Sequence, residues 1–546
     1  MKRAFIILAL AATVAVPFLL RPGRPAPTPA DVTLVIITPH NEAIRRELGA
    51  GFERSYRRQT GRNVVVDWRV IGGTSEITRY LEGEYTAAFA NHWKNALRRP
   101  WSTGVEAAFQ NPDIVPDASP EDDTPPEAAR RAFLASEVGC GIDVFFGGGT
   151  YDFIRQARAG RIVDSGILRR HPELFADTVV PRFYAGQEYW DPQGRWIGSV
   201  LSNYGILFNR ESLARLGITE PPRQWEDLKN PRLLGEVALA DPTKSGSVAE
   251  AFENIIQQQM QRRLLEMKIA APSISALDEK ATEAQAVREG WIEGLRLIQL
   301  IGANARYFTD ASQKVPIDVA TGNCAAGLCI DFYGRQQEEA VRRRGGSDRL
   351  EFVSPAGGTM ASVDPIALLR GAKNREVAIQ FIEWVLSMEG QQLWNLRPGT
   401  PGGPVRSALR RLPVRRDFYG REDLKAFRSD PEVSPFDQED PLIYQAAWTG
   451  EHVRSMAFII RIICLDTHPE LVAAWRAIIK AGQPAEALAV LQNLSNVSYD
   501  KAAGEIRAAL RSRNKVDEIA LAKRLGGLFR AQYRRAAEIA RKSRSP

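Results

Sequence analysis

The run Val32-Thr33-Leu34-Val35-Ile36-Ile37 is apolar and largely β-branched along its whole length. That pattern predicts a strand covered on both faces, as in a parallel sheet. Pro39 ends it. Ile44, Leu48, Phe52 and Tyr56 then recur every fourth residue across 41–57, the period of an amphipathic helix. A second strand is expected at 63–70, a break at Gly72-Gly73, and a second helix at 75–85. Alternating strand and helix is the pattern of an α/β layer fold. Further short buried strands are expected at 142–146, 236–240, 325–330, 352–355 and 362–369, and 196–208 predicts one or two strands with a crossover. Val377, Phe381, Ile382, Trp384 and Val385 mark a strong amphipathic helix over 376–387. By contrast, 111–127 holds five prolines and several acids and predicts a loop without a packed core.

Beyond about Pro404 the strand patterns stop. Helices are expected at 456–464, 470–481, 484–494, 499–511 and 516–540, with Pro469 and Pro484 in first turns and Gly482 just past a helix end. Residues 406–546 therefore read as a separate all-α extension. At the other end, Lys2 and Arg3 precede an apolar run over 4–20. This is the form of an export segment, so 1–30 is expected to be a signal peptide or an N-terminal membrane anchor.

The chain has 546 residues, room for several domains, and ordinary globular composition, with 44% hydrophobic and 25% charged residues. Its net charge of +7 suggests nucleic acid or an anionic membrane, but 13 basic and 4 acidic residues lie within 501–546. The rest is nearly neutral, so the charge belongs to one segment. An exported chain does not meet nucleic acid. The expected terminal helix carries a stripe of Leu521, Leu525, Leu528, Phe529, Tyr533, Ala536 and Ala540 with basic residues largely off it. It could lie on anionic lipid; the blander expectation is a packed helix with a solvated face. The four cysteines are too few for a disulfide scaffold and read as small buried apolar residues.

Phosphate-loop, zinc-protease and nucleophile-elbow motifs are absent, and five scattered histidines give no triad or metal centre. Candidate chemistry lies in three expected strand-to-helix turns. They are Gly72-Gly73-Thr74-Ser75-Glu76, Gly147-Gly148-Gly149-Thr150-Tyr151-Asp152 and Lys244-Ser245-Gly246-Ser247. Each offers backbone N–H groups at a helix N-terminus, hydroxyls and a close backbone approach, which together suit an anion. Simple helix capping explains any one of them. Three on one α/β chain point to a binding cleft.

Several stretches resemble periplasmic solute-binding proteins of ABC importers, in the branch that includes ferric-iron-binding proteins. They are Ile37-Thr38-Pro39-His40-Asn41-Glu42, 72–75, 142–148, Tyr204-Gly205-Ile206-Leu207-Phe208-Asn209, 225–228 and Gly371-Ala372-Lys373-Asn374, continuing through Phe381-Ile382 to Gln391. The resemblance spans about 31–405. It implies a type II, venus-flytrap fold, with lobe 1 at 31–200 and 350–405 and lobe 2 at 201–349, closing by a hinge on a ligand. It also implies delivery of a small-molecule or ferric ligand to a membrane permease with its ATPase, in the periplasm. Carried over by position, the ligand-binding residues would be His40, Gly73, Thr74, Ser75, Gly148, Gly149, Thr150, Asn203, Tyr204, Ser245, Gly246, Ser247, Tyr333 and Arg335. No cofactor is expected. Ferric ion, as cargo, would meet His40, Glu76 and Tyr333. Phe332 stands where the family's first tyrosine is expected, and it has no phenolate oxygen. A phosphorylated or carboxylated solute beside Arg335 is the other expectation. Alternatives from other classes are a membrane-tethered sensor or interaction module, favoured by the extension, and an exported enzyme.

Overall fold

A computed structural model describes residues 30–543 apart from 118, 271–275 and 513, so the expected apolar run at 4–20 lies outside the described residues. Twelve strands build two sheets. They are β1 (Val32–Ile37), β2 (Val64–Arg69), β3 (Val144–Phe146), β4 (Ile162–Val163), β5 (Ile197–Ser202), β6 (Tyr204–Asn209), β7 (Val237–Ala240), β8 (Ala305–Thr309), β9 (Ala326–Ile330), β10 (Leu350–Val353), β11 (Ser362–Leu369) and β12 (Leu412–Pro413). The first sheet runs β12-β5-β11-β3-β1-β2, with β4 also on β11; the second runs β8-β7-β9-β6-β10. β1 lies parallel to β2, with Val32 opposite Val64, and parallel to β3. β5, β6, β9 and β11 are buried along their whole length, which is why they read as continuous apolar runs.

The helices that matter for the site are α1 (Glu42–Thr60), α2 (Thr74–Asn95), α3 (Thr150–Ala159), α4 (Gly246–Ala270), α5 (Ala276–Asn304), α6 (Lys314–Ala320), α7 (Asp331–Gly345), α8 (Arg375–Leu386), α9 (Met388–Asn395), α10 (Val453–Ile460), α11 (His468–Lys480) and α12 (Lys515–Lys542). The side chain of Asn41 caps α1 by accepting from the Ile44 N–H, and Gly61 ends it at φ 73°. Ile44, Leu48, Phe52 and Tyr56 are buried, as their spacing predicts.

Two sheets, each with its own helices, make a two-lobed α/β fold. Up to β11 the described chain crosses between the lobes at two places, and after β12 it returns to lobe 2. The first passage is Asn203, between β5 and β6, and the second is 354–361, between β10 and β11. This moves the second lobe boundary from the expected 349/350, because Leu350–Val353 pairs antiparallel with β6 in the second sheet.

The boundary expected at 405/406 also has lobe 1 chain beyond it. Leu412 and Pro413 pair with Leu201 and Val200 at the edge of the first sheet, and the Val414 N–H donates to Gln391 Oε1 at 2.8 Å. A two-residue edge strand is too short to show a pattern in sequence. Nor do the helices from 446 onward form a core of their own: their buried residues join one continuous apolar cluster with the lobes. α4 and α5 are the platform. Trp291 Nε1 donates to the Val497 carbonyl at 3.0 Å, and Trp475 Nε1 to Asn304 Oδ1 at 2.9 Å. The Tyr533 hydroxyl accepts from Gln299 at 2.9 Å and donates to the Ile463 carbonyl at 2.8 Å.

Within α12, Leu521, Leu525, Phe529, Tyr533, Ala536 and Ala540 are buried, whereas Leu528 is 42% exposed. Of the two expectations for this helix, the packed one holds: its apolar face lies against the protein, and the basic residues form its solvated side. Among the described residues no helix is long and apolar enough to cross a membrane.

Phe529→Ala should lower stability by about 3–5 kcal/mol, the cost of emptying a closed aromatic site. Because the core is continuous, calorimetry should show the transition that includes lobe 2 moving down as a unit. A separate low-temperature transition for the C-terminal helices, with the lobes unmoved, would contradict the shared core.

Candidate functional site

A β-bulge between Asp364 and Pro365 shifts the register of β11 against β5. Such a bulge re-aims a side chain, and here it carries an aspartate in an otherwise apolar strand. Asp364 Oδ2 lies 2.8 Å from Arg411 Nη2 and 3.5 Å from His40 Nε2. Arg411 comes from the segment just before β12. It is 1% exposed, donates to Ser202 Oγ at 2.6 Å, and its guanidinium stacks over Phe332 at 4.5 Å and near Trp394 at 5.7 Å. Phe332 thus serves as the face on which this cation rests.

His40 follows β1. Its Nδ1 lies 3.0 Å from Thr38 Oγ1, and its ring meets Phe146 edge-on at 4.6 Å. Burial lowers its pKa more than Asp364 raises it, so the imidazole is neutral near pH 7. Burial works against the Asp364 carboxylate, but Arg411 and His40 outweigh it and hold the group below the usual carboxylate range. Arg411 is therefore the buried cation of the site and Asp364 its counter-ion.

Lobe 2 closes on this cluster. Tyr204 opens β6, with the Ser247 hydroxyl of α4 facing its phenol. Glu250, one turn further along α4, faces Tyr204 and Ser362. Burial, reinforced by the charges of Glu253 and Asp364, pushes the Glu250 carboxyl up to about 8. His40 Nε2, Arg411 Nε and Glu250 Oε1 are buried without a hydrogen-bond partner. Orphaned buried polar atoms are costly and call for an explanation, and all three belong to residues that interact with Asp364.

The three expected turns do converge. A Cβ at Gly73 would lie 2.2 Å from the Lys244 carbonyl oxygen, so only glycine lets the two lobes approach there. Gly148, at φ 118°, lies against the Thr74 side chain. Gly149 lies against Gly246, and Gly147 against the His40 ring. Thr74 is buried and Ser75 half-buried in the first turn of α2. Thr150 Oγ1 reaches the Val363 carbonyl at 3.5 Å, and Ser245 Oγ accepts from the Val248 N–H at 3.4 Å as a cap of α4. Tyr333 bonds with Asn41 across the lobes and with Gln313, and burial raises its phenol to about 12. It borders a cleft of about 410 Å³ between Asn41, Glu42 and Arg46 of lobe 1 and Gln313 and Gln336 of lobe 2. Asn203 sits at the passage between lobes. Its Oδ1 accepts from the Tyr204 N–H at 2.7 Å and from the Thr359 hydroxyl, and its Nδ2 reaches Ser354 Oγ, so it ties both crossovers together.

Two expected residues are placed elsewhere. Arg335 is bound to Asp331 at 2.8 Å and lies 3.6 Å from Asp430, so its charge is spent inside the protein. Glu76 accepts from the Gly73 N–H at 3.0 Å and faces Lys244 at 3.9 Å, which makes it a helix cap. Among the described residues no three His, Cys, Asp or Glu side chains gather as a metal site. The four cysteines are free.

Arg411, Asp364, Ser202 and Glu250 were not anticipated. An aspartate followed by proline inside an apolar strand is a signal for Asp364. Arg411 lies among Arg406, Arg410, Arg415 and Arg416 and has none.

A hinged pair of α/β lobes closing on buried polar groups is the architecture of a solute-binding protein. Residues 142–418 match the family described as bacterial extracellular solute-binding protein. That is half of the chain, and the chain belongs to this family. An uncharacterized protein of Haemophilus influenzae is 29% identical over 252 residues, 46% of this chain and 60% of that protein. The phosphoglycerate transport regulatory protein PgtC of Salmonella typhimurium is 22% identical over 197 residues, 36% of this chain and 40% of that protein. The matches thus span less than two thirds of either relative. Among solved structures, the periplasmic binding protein AfuA from Actinobacillus pleuropneumoniae, with fructose-6-phosphate bound, aligns with a TM-score of 0.41 at 19% identity, covering 66% of this chain and 82% of that one.

Removing Arg411 leaves Asp364 buried without its cation. Arg411→Met should cost about 3–5 kcal/mol in urea unfolding, and adding Asp364→Asn should recover much of it. Equal stability of the single and double variants would show that the pair is not coupled.

Proposed function

We propose that this protein captures a small phosphorylated or carboxylated solute between its lobes by hinge closure and delivers it to the permease of an ABC-type importer outside the cytoplasm. The observation that carries this reading is the buried Arg411 with its unpartnered Nε, sharing Asp364 with the buried His40, whose ring lies against Gly147 of one of three converging helix N-terminal turns. Helix N-termini and an arginine fork both favour a multi-oxygen anion. The name of the Salmonella relative, a phosphoglycerate transport regulatory protein, supports a phosphorylated acid. Ferric ion is the less favoured cargo: it wants hard anionic oxygens, and Glu76 is committed to a cap while Phe332 supplies no oxygen.

A second reading has one observation behind it. The same relative is named as a regulator of transport, and the C-terminal helices present a basic face to solvent, so the chain could report a captured solute to a membrane partner instead of passing it on.

Full chain lacking residues 1–29 should show a raised melting temperature with one member of a panel of phosphate, phosphoglycerate, glycerol phosphate and citrate. At a hundredfold excess over Kd the stabilisation is about 2.7 kcal/mol. Ser247→Ala and Tyr204→Phe should weaken the shift. A panel with no shift, ferric citrate included, would argue against the reading.

A further inference from the structure

Glu250 stands at the seam between the lobes. It projects from α4 of lobe 2 toward Ser362, the first residue of β11 in lobe 1, and toward Tyr204, the first residue of β6 after the hinge. It is 9% exposed, and its Oε1 has no hydrogen-bond partner. The groups that bear on it come from every element around it. Asp364 faces it from β11 and Glu253 from its own helix, while Tyr189, Tyr204 and Tyr444 lie close enough to feel its charge. Arg411, the buried cation of the cluster, is already committed to Asp364. An ionised Glu250 would thus be a second buried carboxylate facing Asp364. Two like charges in one dry site do not both ionise.

We propose that Glu250 occupies the cleft as the neutral acid and that its O–H serves as a hydrogen-bond donor to the captured anion, so that capture in alkaline solution draws one proton onto the carboxylate. The proton bonds to the carboxylate oxygen, nothing else is broken or formed, and opening returns it to water. A neutral acid adds a donor to the site without adding a negative charge that would repel the ligand. The coupling to capture rests on the anion-binding reading above; the neutrality of Glu250 does not.

The two parts are tested separately on the chain lacking residues 1–29. In ligand-free thermal unfolding, a carboxyl whose folded pKa is raised keeps its proton where the unfolded chain has lost it. Its contribution is therefore fully present below about 4.5 and is lost as pH rises through about 8. Wild type should lose stability across that window more steeply than Glu250→Gln, by one proton, and Glu250→Asp should keep the steeper slope. Glu253, raised to about 7, and Asp152, raised to about 6, contribute in all three proteins, so the difference isolates Glu250. Identical slopes in wild type and Glu250→Gln would overturn the neutral acid. In calorimetry with phosphoglycerate at pH 9, above the ligand-free value of about 8, in two buffers of different protonation enthalpy, wild type should take up a proton on binding that Glu250→Gln does not. Equal uptake, or no binding heat in either protein, would overturn the coupling to capture, while the slopes still decide the protonation.

Discussion

The Asp364–Arg411 ion pair is the constraint on which much of the remaining structure depends. Two charges taken out of water cost more than their attraction returns unless the remaining donors and acceptors are satisfied. The protein supplies those partners from widely separated places: Ser202 from β5, Phe332 from α7, Trp394 from α9 and His40 from the end of β1. Satisfying one pair therefore fixes the ends of strands and helices from both lobes relative to one another.

Around that pair the lobes meet backbone to backbone. Gly73 faces Lys244 and Gly149 faces Gly246, so helix N-termini from both lobes end at the same seam. Residues at such contacts are made and unmade by a hinge motion, whereas Asn203, tied to Ser354 and Thr359, belongs to the pivot. The same side chain that looked like a ligand contact in the sequence is thus placed to hold the two crossover segments together.

The C-terminal helices extend the second lobe. α10 packs on α4 and α5, α11 on α5, and α12 in turn on α11, all within one apolar core. The segment at 430–445 reaches them past the hinge: Leu442 N–H donates to the Thr359 carbonyl, and Tyr444 N–H to the Ala185 carbonyl. Through Thr449 and Tyr444, which both bond Glu253, the extension also touches the helix that carries Glu250. A partner acting on the extension would therefore be one helix turn from the seam.

The sequence by itself determined the local elements and the class of fold. Continuous β-branched runs formed strands, although Thr33 of β1 is exposed, fourfold spacing with caps formed amphipathic helices, and the strand–turn–helix order located three turns at helix N-termini. Those are short-range properties, written in neighbouring residues. What only the tertiary structure decided is which of the polar residues meet. Arg335 and Arg411 look alike in sequence, yet one is drawn to Asp331 and Asp430 within lobe 2 and its flank while the other meets Asp364 and Ser202 of lobe 1 at the seam. Glu76 and Glu250 look alike too, yet one caps a helix in partial solvent and the other is driven neutral by burial. Charge state and availability depend on desolvation and on partners distant in the chain, and no local pattern of residues encodes either.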